Sequence, residues 1–208
     1  MSEPLRIDIG CGKNKKPGFI GVDALKMDGV DVVWDIAQRI TVPGHLDPVT
    51  GKDLIPSYQG SPFAKWPWED SSVDEAHCSH VLEHLTNLDD KWERIHFFNE
   101  LYRVLKPGAG CQLIFPHWAS QRFYGDPTHK EVFSEFGFYY LSKEWRKVNA
   151  PHADSEFVPW GYNCDLEATW GYTEHPSLAG RSVEYKQQAM QFWLESRQDI
   201  VATVKAKK

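Results

Sequence analysis

Two acids and two glycines near the start of the chain have the types and spacing of a nucleoside-binding site. Asp8, Gly10 and Gly12 lie in the segment DIGCG directly after a predicted strand, and Asp23 ends the next predicted strand. Glycines at such a turn let the backbone approach a ligand closely. Ligands bind open α/β sheets at the carboxyl ends of the strands, where Asp23 is placed to accept hydrogen bonds from two ribose hydroxyls. The order of these residues therefore predicts a site for a ribose-containing ligand.

Short apolar runs alternate along the chain with longer stretches of helical period, which is typical of a parallel sheet covered by helices. The clearest helix begins near Thr86 or Asn87 as its cap, has Asp89 and Asp90 in its first turn, and stops before Pro107. Strands are predicted at 5–9, 18–23, 31–35, 74–78 and 110–116.

Two later stretches also show helical spacing. One covers 131–145, and the other covers 183–207. The buried face predicted for the second stretch consists of Ala189, Phe192, Trp193, Ile200 and Val201.

Composition limits the class of protein. The 208 residues are 41% hydrophobic and 25% charged, which fits one globular domain and excludes a fibrous or disordered chain. No apolar run is long enough to span a membrane and no secretory signal opens the sequence, so a cytoplasmic protein is predicted. The four scattered cysteines indicate buried free thiols, and the net charge of −6 disfavours a nucleic-acid partner.

Five segments in order resemble the motifs of class I S-adenosylmethionine-dependent methyltransferases. They are DIGCG at 8–12, GVD at 21–23, WPWEDSSVDE at 66–75, CSHVLEHL at 78–85 and ELYRVLKPG at 100–108. The resemblance implies an α/β fold: a three-layer, Rossmann-like arrangement with a seven-stranded, mostly parallel sheet. It also implies S-adenosylmethionine as cofactor and S-adenosylhomocysteine as product.

The same resemblance assigns roles to individual residues. Asp8, Gly10 and Gly12 are expected to line the methionine end of the cofactor, and Asp23 to bind its ribose. Asp35 is expected beside the adenine. Ser79 and His80, which follow the fourth strand, are expected to flank the sulfonium and the incoming acceptor.

The sequence departs from the family pattern after Gly12. The third glycine of the loop is replaced by Asn14, and the connection to Asp23 is too short for a full helix. The first crossover helix is therefore predicted to be shortened or missing. Because a dinucleotide's pyrophosphate needs that helix N-terminus, this departure disfavours a nicotinamide-dependent oxidoreductase.

The region 117–175 is predicted to cap the substrate side, and 39–65 to be an inserted loop, within a single domain spanning 1–208. His117, Asp126 and His129 are the candidate catalytic residues, because imidazole can act as a general base near neutral pH. The DPTHK segment at 126–130 resembles segments of some small bacterial and phage methyltransferases. In the alternative interpretation Asp126 caps a turn and His129 bonds to the backbone. A metal bound by His117, Asp126 and His129 is a further alternative, but their irregular spacing predicts no metal site.

The predicted function is methyl transfer to an oxygen or nitrogen of a small molecule, a sugar or a glycan. The alternatives are a catalytically inactive partner subunit that binds the cofactor, and a nucleic-acid methyltransferase. An aminopropyl transferase is disfavoured because the extra acids that a polyamine requires are not evident.

Overall fold

A computed structural model describes residues 3–41, 44–57, 61–88 and 91–208. Its strands are β1 Arg6–Ile9, β2 Ile20–Asp23, β3 Val32–Val33, β4 Val73–Ser79, β5 Leu105–Pro116, β6 Leu166–Glu174 and β7 Arg197–Ala206. They form one sheet in the order β3-β2-β1-β4-β5-β7-β6. β7 runs antiparallel to both of its neighbours and the pairs from β3 to β5 are parallel. The predicted seven-stranded, mostly parallel α/β fold is confirmed.

The centre of the sheet is buried on both faces. In β1, Ile7 and Ile9 are fully buried, and Asp8 between them is buried as well. Such a continuous buried run is expected for a central parallel strand. The register places Asp8 opposite Gly21 of β2 and His77 of β4, so the residues that follow these strands meet at one edge.

In the described ranges, the α-helices that accompany the sheet are α1 Glu93–Val104, α2 Gln121–Tyr124, α3 Lys143–Asn149 and α4 Val183–Phe192. The predicted long helix corresponds to α1, but it begins at Glu93, well after the predicted cap, and ends at Val104. The side chain of Asn87 accepts hydrogen bonds from the backbone N–H groups of Arg94 and Ile95, as a cap does. Leu105, predicted on the helix face, begins β5 instead. Asp89 and Asp90 lie outside the described residues.

The connections that precede β4 contain no α-helix within the described residues. Turns alone join β1 to β2 and β2 to β3, which confirms that the first crossover helix is missing. In the predicted loop 39–65, isolated bridges join Arg39 to Phe63 and Pro56 to Ala64. Trp66, the first residue after this loop, donates its backbone N–H to Glu100 of α1 at 2.6 Å.

The predicted helix at 183–207 is wrong in its second half. The helix ends at Phe192, and β7 occupies Arg197–Ala206. Ile200, Ala202 and Val204 are buried while the residues between them are more exposed. This period of two, with β-branched residues, is typical of a strand and not of a helix. Phe192 and Trp193, predicted to be buried, are 70% and 49% exposed.

The predicted helix at 131–145 is correct only in part, because a 3-10 helix, Glu135–Leu141, precedes α3. The buried guanidinium of Arg146 holds this region together. It pairs with Asp154 at 2.9 Å and donates to the carbonyls of Tyr140 and Cys164, each at 2.7 Å. Three separate segments are thereby tied to one fully buried side chain.

All four cysteines are buried and free, as predicted. Within the described ranges, none of the helices combines the length and apolar character that a membrane crossing needs.

Candidate active site

The turn after β1 forms the floor of a cavity. Gly10 has a φ of 67° and donates its backbone N–H to Val22 at 2.8 Å. A Cβ atom placed on Gly10 would lie 2.2 Å from Cγ2 of Val81. Both the positive φ and this close approach require glycine at the position. The backbone is thus left open toward the cavity.

The carboxylate of Asp23 stands at the end of β2, as predicted. One of its oxygens accepts the N–H of Gly12 and the other accepts the N–H of Leu25, each at 3.0 Å. These bonds fix the orientation of the carboxylate while each oxygen retains further acceptor capacity. Asp23 lines the cavity together with Gly10.

The cavity has a volume of about 510 Å³ and lies beyond the carboxyl ends of β1, β2 and β3. It brings Gly10, Asp23, Asp35 and His80 together. Desolvation by the surrounding protein raises the pKa of Asp35, whose carboxylate accepts the N–H of Ala37 at 2.9 Å. Four of the seven predicted cofactor residues therefore share one cavity of a size usual for small-molecule sites.

The other three predicted cofactor residues surround this cavity without lining it. Asp8 is buried and accepts the N–H of Lys16 at 2.7 Å, while its second oxygen lies 2.7 Å from Nδ1 of His77. Gly12 donates its backbone N–H to the carboxylate of Asp23. Ser79 pairs with Ile114 in the sheet. Each of these residues shapes the edge of the sheet on which the cavity is built.

His80 occupies a strained position directly after β4. Its φ is 57°, in the left-handed region that non-glycine residues rarely adopt, and its N–H donates to Ile114 at 2.7 Å. Nδ1 of His80 lies 3.1 Å from a carboxylate oxygen of Glu83. This hydrogen bond raises the pKa of His80. The contact with Glu83 holds the ring at the cavity wall, and the bond to Ile114 helps to maintain the strained backbone.

The DPTHK segment packs beside this wall. Asp126 accepts the N–H of Thr128 at 2.8 Å, the turn interaction that was the alternative to catalysis. His129 is bonded through Nδ1 to the carbonyl of Phe123 at 2.7 Å, and its Nε2 lies 3.9 Å from Glu83. The backbone N–H of Lys130 donates to the carbonyl of Glu83 at 2.8 Å. The segment is thus attached to the residues that follow β4.

His117 lies apart from this group and lines a different cavity, next to α4. The backbone N–H of Ala119 donates to Nδ1 of His117, so the ring proton is on Nε2, which lies 3.1 Å from Glu135. Burial raises the pKa of Glu135, but hydrogen bonds from His117 and Tyr172 outweigh burial and lower that pKa to about 2. Both ring nitrogens of His117 are therefore engaged.

Sequence reasoning missed several residues of the cavity. Trp34, Val81, His84 and Lys130 also line it. His84 and Lys130 belong to the segments HVLEHL and DPTHK, whose proximity depends on tertiary packing. Trp34 directly precedes Asp35, and this adjacency to a predicted site residue was the available signal.

About half of the chain is similar in sequence to a known protein family. Residues 7–112, about half of the chain, match the family described as "Methyltransferase domain". The chain belongs to this methyltransferase family. The match confirms the predicted enzyme class, with S-adenosylmethionine as the methyl donor. No curated protein matches the methyltransferase.

Solved structures support the fold of the methyltransferase. A SAM-dependent methyltransferase from Archaeoglobus fulgidus is 20% identical with a TM-score of 0.54, and the match covers 98% of this chain and 86% of that one. A putative methyltransferase of Haloferax volcanii, solved with the activator Trm112, is 11% identical with a TM-score of 0.50, covering 99% and 83%. At these identities the likeness concerns the fold alone.

Proposed function

We propose that the protein transfers the methyl group of S-adenosylmethionine to an oxygen or nitrogen of a small molecule, a sugar or a glycan. The observation that carries this proposal is the convergence of Gly10, Asp23, Asp35 and His80 on one cavity at the carboxyl edge of the sheet. Bound there, the cofactor supplies a methyl group on a positively charged sulfur. The chain contributes binding, alignment and exclusion of water, which together account for much of the rate of such displacements.

The residues of the cavity fit the cofactor. Gly10 lines the cavity with its backbone alone, which a ligand can approach closely. The fixed carboxylate of Asp23 offers two oxygens to the ribose hydroxyls, and Asp35 is placed beside the adenine. We assign Asp8, Gly12 and Ser79 to positioning. The carboxylate of Asp8 and the N–H of Gly12 are bonded to the protein itself, and the backbone of Ser79 pairs with Ile114 in the sheet.

His80 faces the methyl end of the cofactor in this proposal, and the acceptor enters from the side of the DPTHK segment. Of the three candidate catalytic residues, His129 is favoured as the general base. Its Nδ1–H is held by the carbonyl of Phe123, so that Nε2 keeps a lone pair. Asp126 supports the turn before it, and His117 is less suited because both of its nitrogens are engaged. The kinship of DPTHK with small bacterial and phage enzymes stays a prediction.

The charge of the chain supports the choice of acceptor class. A net charge of −6 repels the phosphates of a nucleic acid, and the walls of the cavity carry the acids Asp23, Asp35 and Glu93. A neutral or cationic small molecule meets less repulsion there. Nucleic acids are therefore less favoured as acceptors than small molecules and sugars.

Titration with S-adenosylhomocysteine of the wild type, of Asp23→Asn and of Asp28→Asn tests the proposal. Asp28 is an exposed acid a few residues away that does not line the cavity, so it is the matched control. We expect Asp23→Asn to weaken binding by about tenfold or more, because one charged acceptor for a ribose hydroxyl is lost. Equal affinities in the two variants would contradict the ribose assignment.

A further inference from the structure

One cluster of ligand-type side chains lies at the edge of the cofactor cavity, which His84 also lines. Glu83, His84 and His129 each offer one atom, and the three atoms lie within 4.8 Å of one another. We propose that these residues bind a divalent transition-metal ion at the edge of the cofactor cavity. The sequence predicted no metal site, because the spacing of His117, Asp126 and His129 is irregular; the fold instead joins His129 to Glu83 and His84.

The buried carboxylate of Glu83 is the first observation that points to a cation. Glu83 is only 2% exposed, and one of its oxygens is 3.1 Å from Nδ1 of His80. The other oxygen, Oε2, is buried and has no hydrogen-bond partner within the described residues. Leaving a buried carboxylate oxygen unpaired costs free energy. A bound cation would satisfy it.

The tautomers of the two histidines are the second, independent observation. His129 donates Nδ1–H to the carbonyl of Phe123 at 2.7 Å, and His84 directs Nδ1 toward the carbonyl of Thr128 at 3.3 Å. A carbonyl only accepts, so in both rings the lone pair is on Nε2. Metal-binding histidines are typically fixed in this way, with one ring N–H held by a carbonyl and the other nitrogen free to bind.

The geometry lies close to that of a bound site. Nε2 of His129 is 3.9 Å from Oε1 of Glu83, the oxygen that also contacts His80, and 3.8 Å from the carboxylate of Asp126. Nitrogen and oxygen ligands bind zinc tetrahedrally at about 2.0–2.2 Å, so two ligand atoms on one ion are about 3.3–3.6 Å apart. The three candidate ligand atoms are at most 4.8 Å apart, so rotations that shorten these separations by up to about 1.5 Å would close the site. Asp126 adds a second negative charge next to the ion.

The donor set defines the class of ion. Two imidazoles and one carboxylate suit zinc and similar transition ions, whereas magnesium and calcium prefer oxygen ligands. Three protein ligands leave at least one coordination position open. His84 and His80 line the cofactor cavity, so that position lies at its edge.

The role of the ion rests on the proposed function. Beside the cavity it would bind an oxygen of the acceptor and lower the pKa of that group, which favours hydroxyl acceptors over amines. A bound ion would also occupy Nε2 of His129. Nε2 of His129 can therefore be either the general base or a metal ligand but not both, and a metal titration distinguishes the two roles.

The test is a titration of chelator-treated full-length protein with Co²⁺, followed by visible absorption, and then competition with Zn²⁺ and Mg²⁺. We expect a saturable Co²⁺ spectrum that Zn²⁺ removes and Mg²⁺ does not. Glu83→Gln, His84→Gln and His129→Gln are expected to bind Co²⁺ at least about tenfold more weakly. The control is His152→Gln, an exposed histidine outside the cluster, which is expected to match the wild type.

The proposal is overturned if the wild type gives no saturable spectrum, or if the three variants titrate like His152→Gln. If Glu83→Gln does not fold, His84→Gln decides, because that side chain is only half-buried. S-adenosylhomocysteine is titrated into the same metal-free protein. Binding of this product without a Co²⁺ site leaves the proposed function standing and rejects the metal, and the reverse result rejects the cofactor site instead.

Discussion

The substitution Gly10→Ala would place a side chain in a tightly packed turn at the floor of the cavity, and its cost in stability can be worked out from the structure. The new Cβ would stand 2.2 Å from Cγ2 of Val81, and the residue would have to keep a φ of 67°. The left-handed conformation costs about 1–2 kcal/mol for an alanine, and overpacking costs about 1–3 kcal/mol more. We therefore expect the free energy of unfolding to fall by about 2–5 kcal/mol.

Gly51→Ala is the matched control for this substitution. Gly51 has a φ of 66°, and a Cβ there would meet no atom within 4 Å. It therefore shares the backbone strain of Gly10→Ala without the collision. The difference between the two variants in urea unfolding isolates the contact with Val81 and is expected to be about 1–3 kcal/mol.

A double variant checks the cause. In Gly10→Ala combined with Val81→Ala the colliding methyl group is gone, and the remaining Cβ of Val81 lies at an ordinary 3.6 Å. The double variant should regain the stability that Gly10→Ala loses beyond the loss seen in Gly51→Ala. If Val81 instead rotates away, it enters the cavity and weakens binding of S-adenosylhomocysteine. If Gly10→Ala and Gly51→Ala have the same free energy of unfolding and the same affinity for S-adenosylhomocysteine, the reasoning is refuted.

Two further predictions concern the histidine clusters. Hydrogen bonds from His117 and Tyr172 lower the pKa of Glu135 to about 2, against a reference of 4.5. The ionised Glu135 therefore stabilises the fold fully above its unfolded-state pKa, and this stabilisation is lost as the pH falls toward 2. The unfolding free energy of Glu135→Gln should thus vary less than that of the wild type between pH 4.5 and about 2, and parallel curves would argue against this pairing. His129→Ala is expected to lower turnover by about a hundredfold or more with little change in the affinity for S-adenosylhomocysteine; equal losses in both would assign His129 a structural role.

The sequence predicted the first half of the sheet well because its signals are local. The buried run of β1, the glycine turn after it and the acid that ends β2 all follow from neighbouring residues. The missing helix between β1 and β2 could be predicted from the length of the connection alone.

The end of the chain could not be predicted in the same way. The apolar residues of 183–207 satisfy both a helical and an alternating pattern, and only pairing with β5 and β6 selects the strand at Arg197–Ala206. Tertiary contacts outweigh local preference at such positions.

The candidate site shows the same division. Asp23 and Gly10 were recognised because their chemistry is attached to strand ends. The carboxylate of Glu83 could not be recognised in this way, because His80 and His129 come together around it only when the DPTHK segment folds back onto the chain after β4. Proximity between segments far apart in sequence carries no local signal.

The most direct test of the account is a calorimetric titration of the purified protein with S-adenosylhomocysteine, with NADH as the control ligand. The account predicts saturable binding of S-adenosylhomocysteine, no binding of NADH, and the same S-adenosylhomocysteine affinity in Asp28→Asn as in the wild type. Binding of NADH alone, or of neither ligand, would contradict the assignment of the cavity at Gly10 and Asp23 to the methyl donor.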